Sequence, residues 1–242
     1  MLKVDLHLHT VASGHAHSTI LEYINRAQEL KMEIIGFTDH GPALKCSLAD
    51  EVYFKCLPRI PSKIGNLLIL KGVEANILNI DGEIDVSDRI IEKLDFVIAG
   101  FHSGVDYGCE NNIGNNTKAI INTIKSSKIN IISHPFLIKH YKIDIEAMSY
   151  AACEHNVLLE INTHYLAESE LLKDTFSNLI KIIKIIKQHQ QKVIVNSDAH
   201  NIWEMANDDS LKKIQNKIGL TEEMIINNYP EELLEKLKIK KA

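Results

Sequence analysis

The stretch Val4-Asp5-Leu6-His7-Leu8-His9-Thr10 alternates apolar and polar side chains. That period of two predicts a strand, in which alternate side chains share a face. His7 and His9 therefore point the same way, about 6–7 Å apart at roughly 3.3 Å per residue, and can converge on one cation. Leu6 and Leu8 are predicted to turn to the other face, into the packing layer. Asp5 shares the histidine face and is expected to accept a ring N–H there.

Working outward, short apolar runs predict seven strands: Val4–Thr10, Ile34–His40, Leu67–Asn76, Phe96–His102, Ile129–His134, Val157–Thr163 and Lys192–His200. Amphipathic stretches near 19–31, 86–93, 115–127, 144–155 and 168–190 predict helices between them, and two more follow near 207–218 and 230–240. The region 43–66, with Pro58 and Pro61 inside it and Pro42 just before, reads as a loop with a short helix. Ser18-Thr19 and Asn115-Asn116-Thr117 are N-cap candidates. Asp81-Gly82 reads as a tight hairpin turn between Asn76–Ile80 and Glu83–Val86. Lys181, Lys184 and Lys187 recur between isoleucine pairs and mark a solvated helix face. No repeat or linker interrupts this pattern, so residues 1–242 are expected to form a single domain.

Six of the seven strands end in, or just beyond, a metal-capable residue: His7 and His9, His40, Glu74, His102, His134, and Asp198 with His200. His15 lies in the loop after the first strand. Alternating strands and helices predict an α/β fold with a mostly parallel sheet. Ligands delivered to the carboxyl ends of so many strands point further, to a closed or nearly closed TIM-like barrel, because an open sheet would spread those ends along a line.

These seven histidines, one glutamate and one aspartate are too many for one tetrahedral ion. They suit three ions with about three protein ligands each, water filling the open positions. Imidazole and carboxylate without thiolate favour zinc, manganese or iron over magnesium or calcium. Neighbouring divalent ions can share a hydroxide and bridge phosphate oxygens, the geometry of in-line displacement at phosphorus.

Composition narrows the function classes. At 45% hydrophobic and 24% charged residues, the chain is an ordinary globular one, not fibrous or disordered. The net charge of −5 and the scarcity of arginine (Arg26, Arg59 and Arg89 alone) disfavour electrostatic capture of nucleic acid. Cys46, Cys56, Cys109 and Cys153 have no CxxC spacing and read as free thiols of a reducing cytoplasm. The opening residues do not resemble a signal peptide, and no uncharged apolar run approaches the length of a membrane span.

In order, the HxH, TDH, GxE, FH, SHP and SDxH elements resemble the polymerase-and-histidinol-phosphatase (PHP) superfamily, and more narrowly its YcdX-type probable phosphatases. The likeness is carried by residues 4–13, Thr38-Asp39-His40-Gly41-Pro42, residues 71–85, 98–102 and 131–135, Leu159-Glu160-Ile161-Asn162 and Ser197-Asp198-Ala199-His200. It spans nearly the whole chain.

The resemblance implies a distorted seven-stranded (β/α)7 barrel around a trinuclear centre, usually of zinc. One metal would take His7, His9, Glu74 and Asp198, and a second His15, His40 and His200. A third would take His102, His134 and the shared Glu74. Two segments depart from the family pattern, Phe136-Leu137-Ile138-Lys139 and Thr163-His164-Tyr165, and both bear on the substrate.

His140 and His164 are candidates to protonate a leaving group, and Arg59, Lys139 and Lys142 are candidates to contact substrate phosphate. His17 is expected outside the metal shell, and His155 and His189 on the surface. The expected activity is hydrolysis of small phosphomonoesters by a metal-bridging hydroxide, with no covalent intermediate. The alternatives are a phosphodiesterase or exonuclease on short oligonucleotides, an amide hydrolase on the same plan, and a metal-binding regulatory protein with little turnover.

Overall fold

The computed structural model describes residues 1–137, 139–167 and 173–239. Each predicted strand contains an observed one, but shorter: His9, His40, His102, His134, Asp198 and His200 fall beyond the strand ends, while His7 and Glu74 stay within strands. The strands are β1 (Val4–Leu8), β2 (Ile34–Phe37), β3 (Lys63–Ile64), β4 (Leu67–Lys71), β5 (Glu74–Asn76), β6 (Ile98–Gly100), β7 (Ile131–Ile132), β8 (Leu158–Asn162) and β9 (Ile194–Asn196). The predicted strand Leu67–Asn76 is split at Gly72-Val73 into β4 and β5. The two-residue β3, antiparallel to β4, was not foreseen in the 43–66 loop.

The helices are α1 (Ile20–Glu29), α2 (Glu51–Cys56), α3 (Asp88–Ile91), α4 (Ile113–Lys125), α5 (Ile145–Glu154), α6 (Thr163–Ala167), α7 (Lys173–Gln188), α8 (Asp209–Ile214) and α9 (Pro230–Lys236). Residues 168–172 of the expected 168–190 helix, and residue 240 of the expected 230–240 helix, lie outside the described residues. Thr19 caps α1 as predicted, in a reciprocal capping box with Glu22. The cap of α4 is Asn112, not Asn115–Thr117. Asn112 Oδ1 accepts the Asn115 N–H at 2.9 Å, which places Asn115 inside the first turn.

Apart from β3, the ladders are parallel, and the strands form two sheets, ordered β1-β2-β4-β3 and β5-β6-β7-β8-β9. Neither sheet closes on itself. Two parallel bridges run between them at the carboxyl ends: Leu8 with Ala199 and His40 with Glu74. The first carries His9 N–H to Ala199 O at 2.9 Å, and the second Gly41 N–H to Glu74 O at 2.8 Å.

Both sheets feed one buried apolar cluster, in which Val4, Leu6, Ile34, Leu70, Phe96, Ile98, Ile131, Leu158 and Ile194 pack with Ile226, Leu233 and Leu237. Leu8 does not join it. The register of β1 shifts between Asp5 and Leu8, and Leu8 packs instead with Tyr23, Ile24 and Phe37. The expectation that Leu6 and Leu8 enter one packing layer is corrected by that irregularity.

At 79–82 the chain turns as expected, with Gly82 N–H donating to Asn79 O at 3.1 Å and Gly82 at φ 79°. A Cβ there would sit 2.3 Å from Thr123 N, so only glycine fits against α4. The flanks make a single bridge, Ile77 with Ile84, and not a full hairpin. The four cysteines are free thiols, and no described helix is long and apolar enough to cross a membrane.

Candidate metal centre

The strand ends bring all nine expected residues together around a cavity of about 310 Å³. His15, His40, Glu74, His102, His134, Asp198 and His200 line it, while His7 and His9 lie fully buried against them. His134 (φ 33°) and Asp198 (φ 54°) occupy the left-handed region, unusual for residues with a Cβ. Neighbouring bonds hold that strain: His134 N–H donates to Glu160 Oε2 at 2.8 Å, and Asn162 Nδ2 donates to Asp198 Oδ2 at 3.0 Å. Gly100 leaves room for the histidines, since a Cβ would meet Ser133 Oγ at 2.3 Å and His134 Cε1 at 3.2 Å.

Hydrogen bonding fixes the tautomers of five rings. His7 Nδ1 faces Glu160 Oε1 at 2.8 Å, and His15 Nδ1 faces Ser13 O at 3.0 Å. His200 Nδ1 faces Asp198 O at 2.9 Å. His9 Nδ1 faces Ser13 Oγ at 2.9 Å, and that hydroxyl spends its own proton on Asp39 at 2.7 Å. His102 Nδ1 faces Asn76 Oδ1 at 2.7 Å, the amide being oriented by its donation to Asp85 at 2.5 Å. Each Nδ1 meets an acceptor and so carries the ring proton, which leaves Nε2 as a lone pair aimed inward.

Two pairs of those lone pairs confront one another. His7 Nε2 lies 3.0 Å from His9 Nε2, and His15 Nε2 lies 2.9 Å from His200 Nε2. Such contacts are repulsive unless a cation stands between them, a proton in the metal-free protein or a metal ion, and they approach the roughly 3.3 Å edge of a tetrahedron built on ~2.0 Å metal–nitrogen bonds.

The acids make the same demand. Glu74 Oε1 faces His102 Nε2 at 3.1 Å and His134 Nε2 at 3.0 Å. Its Oε2 faces His40 Nδ1 at 2.9 Å and His7 Nε2 at 3.3 Å. Asp198 Oδ1 faces His9 Nε2 at 3.0 Å. Yet Glu74 Oε2, Asp198 Oδ1 and His40 Nδ1 are buried with no geometrically sound hydrogen bond. Orphaned buried anionic oxygens beside inward lone pairs fit a divalent cation.

The electrostatics agree. Burial opposes charge on His7, His9 and His134, but Glu74, Asp198 and Glu160 override it. His7 is raised well above the usual imidazole range, His134 is raised, and His9 is pushed up to about 9. Burial likewise works against the Glu74 and Asp198 carboxylates, but His7 and its neighbours hold both far below their ordinary values. Burial, together with the charge of His9, lowers His40 well below its ordinary value and brings His200 to about 4. Three groups have donor atoms close enough for one ion: His7, His9 and Asp198; His9, His40 and His200; His40, Glu74 and His102. These groups share His9 and His40 where the family pattern assigns each to one metal.

Several expectations are revised. Asp5 accepts no ring N–H. Its carboxylate is taken by Ser197 Oγ at 2.5 Å and by the backbone N–H of Ser197 and Ala206. Glu160 holds His7 instead, although it lies 153 residues away in sequence. The i, i+2 pair Glu160 and Asn162 on β8 repeats the spacing of His7 and His9, a signal that could have found it.

His140 lines the cavity. His164 does not, its ring standing 6.1 Å from that of His200. Arg59, Lys139 and Lys142 are exposed and the structure does not bring them to the cavity. His155 and His189 are exposed, as expected, and His17 is exposed too. Ile138 lies outside the described residues.

Against known proteins, the model of the PHP domain matches residues 5–225. The chain belongs to the PHP family. A probable phosphatase of Clostridium acetobutylicum is 36% identical to this PHP chain over 242 residues, covering 98% of it and 95% of the relative. Probable phosphatase YcdX of Escherichia coli K12 is 37% identical over 236 residues, covering 97% and 93%. Among solved structures, the chain resembles a histidinol phosphate phosphatase of Lactococcus lactis complexed with zinc, L-histidinol and phosphate. That match has a TM-score of 0.58 at 16% identity, covering 90% of this chain and 94% of the other. A chain of an archaeal ribonuclease P, solved with mature tRNA, gives 0.56 at 17% identity, covering 97% and 88%. At such identities the likeness to this PHP chain is one of fold.

Proposed function

We propose that the chain is a metal-dependent phosphatase of small phosphomonoesters, working at a trinuclear centre that takes zinc. The observation that carries this reading is the pair of opposed imidazole lone pairs around two orphaned buried carboxylates, at the floor of a cavity of about 310 Å³. His7, His9, Glu74 and Asp198 would hold one ion, His15, His40 and His200 a second, and His102 and His134 a third with Glu74 shared. Bound divalent ions supply an acidified water as nucleophile and positive charge for the phosphoryl oxygens.

The protein's own groups orient and exclude. Glu160, Ser13 and Asn76 fix the rings of His7, His9 and His102, so the donor set is organised before any ligand arrives. His140, a residue of the cavity lining, would give a proton to the departing alkoxide. The cavity is near the lower end of the ~300–1,000 Å³ typical of small-molecule sites, which favours a monoester over an oligonucleotide. A monoester also offers three non-bridging oxygens where a diester offers two.

The two sheets are read as arcs of one distorted seven-stranded barrel, supported by the bridges Leu8–Ala199 and His40–Glu74 and by the cluster both sheets share. Residues 1–242 are read as one domain. Free thiols support a cytoplasmic setting.

The test is metal analysis of chelator-free protein coupled to turnover of monoesters, diesters, dinucleotides and amides. The reading expects about three ions per chain. It also expects kcat/KM for p-nitrophenyl phosphate to exceed that for its bis-ester by about tenfold or more. Preference for the diester, processive digestion of oligonucleotides, or metal without any hydrolysis would overturn it.

A further inference from the structure

The wall of the cavity differs in kind from its floor. Phe101 and Tyr141 lie parallel, with ring centroids 4.8 Å apart and planes 12° apart. Tyr107, which does not line the cavity, meets both rings edge-on at 5.5 and 5.7 Å and fixes the pair as a rigid plate. Tyr165 stands edge-on to His134 at 5.6 Å, and Leu44 and Leu137 also line the cavity, with Cys46, Ser103 and His140 as its further polar residues. Among the described lining residues there is no lysine or arginine.

This wall discriminates by what it lacks. A leaving group with a second phosphate or a carboxylate would bring an anion to a surface whose one basic side chain beyond the metal-binding floor, among the described lining residues, is His140. A polyol would exchange hydrogen bonds to water for contact with ring faces and leucine methyls. A flat apolar ring loses little on entry and gains face and edge contacts. A cavity of about 310 Å³ accommodates a phosphoryl group and one ring.

We infer that the substrate's alcohol is a single uncharged aromatic or heteroaromatic ring bearing its phosphate on a short methylene arm. The ring rests against the Phe101–Tyr141 plate and Tyr165. The inference rests on the phosphomonoesterase reading of the same site. In the reaction, water oxygen bonds to phosphorus, the bond from phosphorus to the ester oxygen breaks, and that oxygen takes a proton. The aryl methanol and orthophosphate leave, with no change of oxidation state.

The experiment compares benzyl phosphate with glycerol 2-phosphate and a hexose 6-phosphate on the metal-loaded protein. All three release alkoxides of similar intrinsic reactivity, so their ratio reports recognition. Calorimetry with benzylphosphonate and methylphosphonate, which cannot be hydrolysed, reads binding without turnover. The expected result is kcat/KM higher for benzyl phosphate by about tenfold or more, and tighter binding of benzylphosphonate, on the scale of a well-filled apolar subsite.

Tyr141→Ala and Tyr165→Ala should each pull the ratio of aryl to polyol kcat/KM toward one, and Tyr141→Phe should retain it. Polyol esters turned over as well as benzyl phosphate, or methylphosphonate binding as tightly as benzylphosphonate, would overturn the inference and leave the phosphatase standing. Metal-loaded protein that hydrolyses no monoester would bring down both.

Discussion

The hydroxyl of Tyr53 donates to Asp39 Oδ2 at 2.5 Å, from α2 to the residue just before His40. Asp39 also receives Thr10 N–H at 2.7 Å and Ser13 Oγ at 2.7 Å, and Ser13 in turn accepts from His9. A helix outside the sheets thus completes the solvation of a buried acid that holds a metal-facing ring in place.

Tyr53→Phe removes that donor and leaves the carboxylate oxygen under-satisfied. We expect a loss of about 1–3 kcal/mol in urea unfolding. Metal retention during dialysis against chelator should weaken as well. Unchanged stability would show that Thr10 and Ser13 suffice for Asp39.

Glu160→Gln tests the orientation of His7. Both Glu160 oxygens accept, from His7 and Asn196 on one side and from His134 N–H and Asn162 on the other. An amide turns an N–H₂ toward donors whichever way it flips. Metal affinity should fall by about 10–100-fold in chelator competition, while the overall fold, read by far-ultraviolet circular dichroism, persists.

Glu74→Gln should abolish activity far more completely than His17→Ala. The glutamine keeps the shape but loses the charge that five histidines surround. His17 is exposed, and its backbone N–H, not its ring, contacts His200 O. Equal losses in phosphatase rate would refute this division of the histidines.

The metal-stripped protein should be most stable near pH 6–7. His9 has a folded pKa of about 9, above its unfolded value of about 6.5, so its contribution is complete below 6.5 and is lost as pH rises through 9. His200, brought to about 4, acts in the opposite sense: the unfolded chain takes the proton first as pH falls from 6.5 toward 4. Thermal unfolding from pH 5 to 9.5 with chelator should show both limbs. Saturating zinc should remove the alkaline one, because the metal replaces the protons on His7 and His9.

Much of the centre was legible in the sequence because its geometry is local. A polar ligand directly after an apolar run marks strand direction and strand end, which is why His40, His102 and His134 were legible; Glu74 followed an apolar run too, but it opens β5 after the break at Gly72-Val73. The capping box of α1 was equally local. What escaped was set by contacts across long separations or by single-residue irregularities.

The irregular register of β1 sent Leu6 and Leu8 to different clusters, and alternation alone could not show it. The partner of His7 was misread as Asp5 because Glu160 is near only in space. The stacking of Phe101 on Tyr141 crosses forty positions and leaves no periodic trace. The N-cap of α4 fell three residues early because Asn112 and Asn115 are alike in type and only the side-chain bond distinguishes them.

The bond from Asn227 Nδ2 to Val4 O spans 223 positions. It sets a timetable for biogenesis. At about 5–20 residues per second, the ribosome needs roughly 10–45 s to deliver that partner after Val4 is made. During that interval β1 can pair with β2 alone. His7 and His9 likewise wait for Asp198 and His200 to emerge. The full donor set therefore comes together only after residues 198 and 200 have emerged, and the earliest-made histidines depend for that interval on whatever shields a half-paired strand from aggregation.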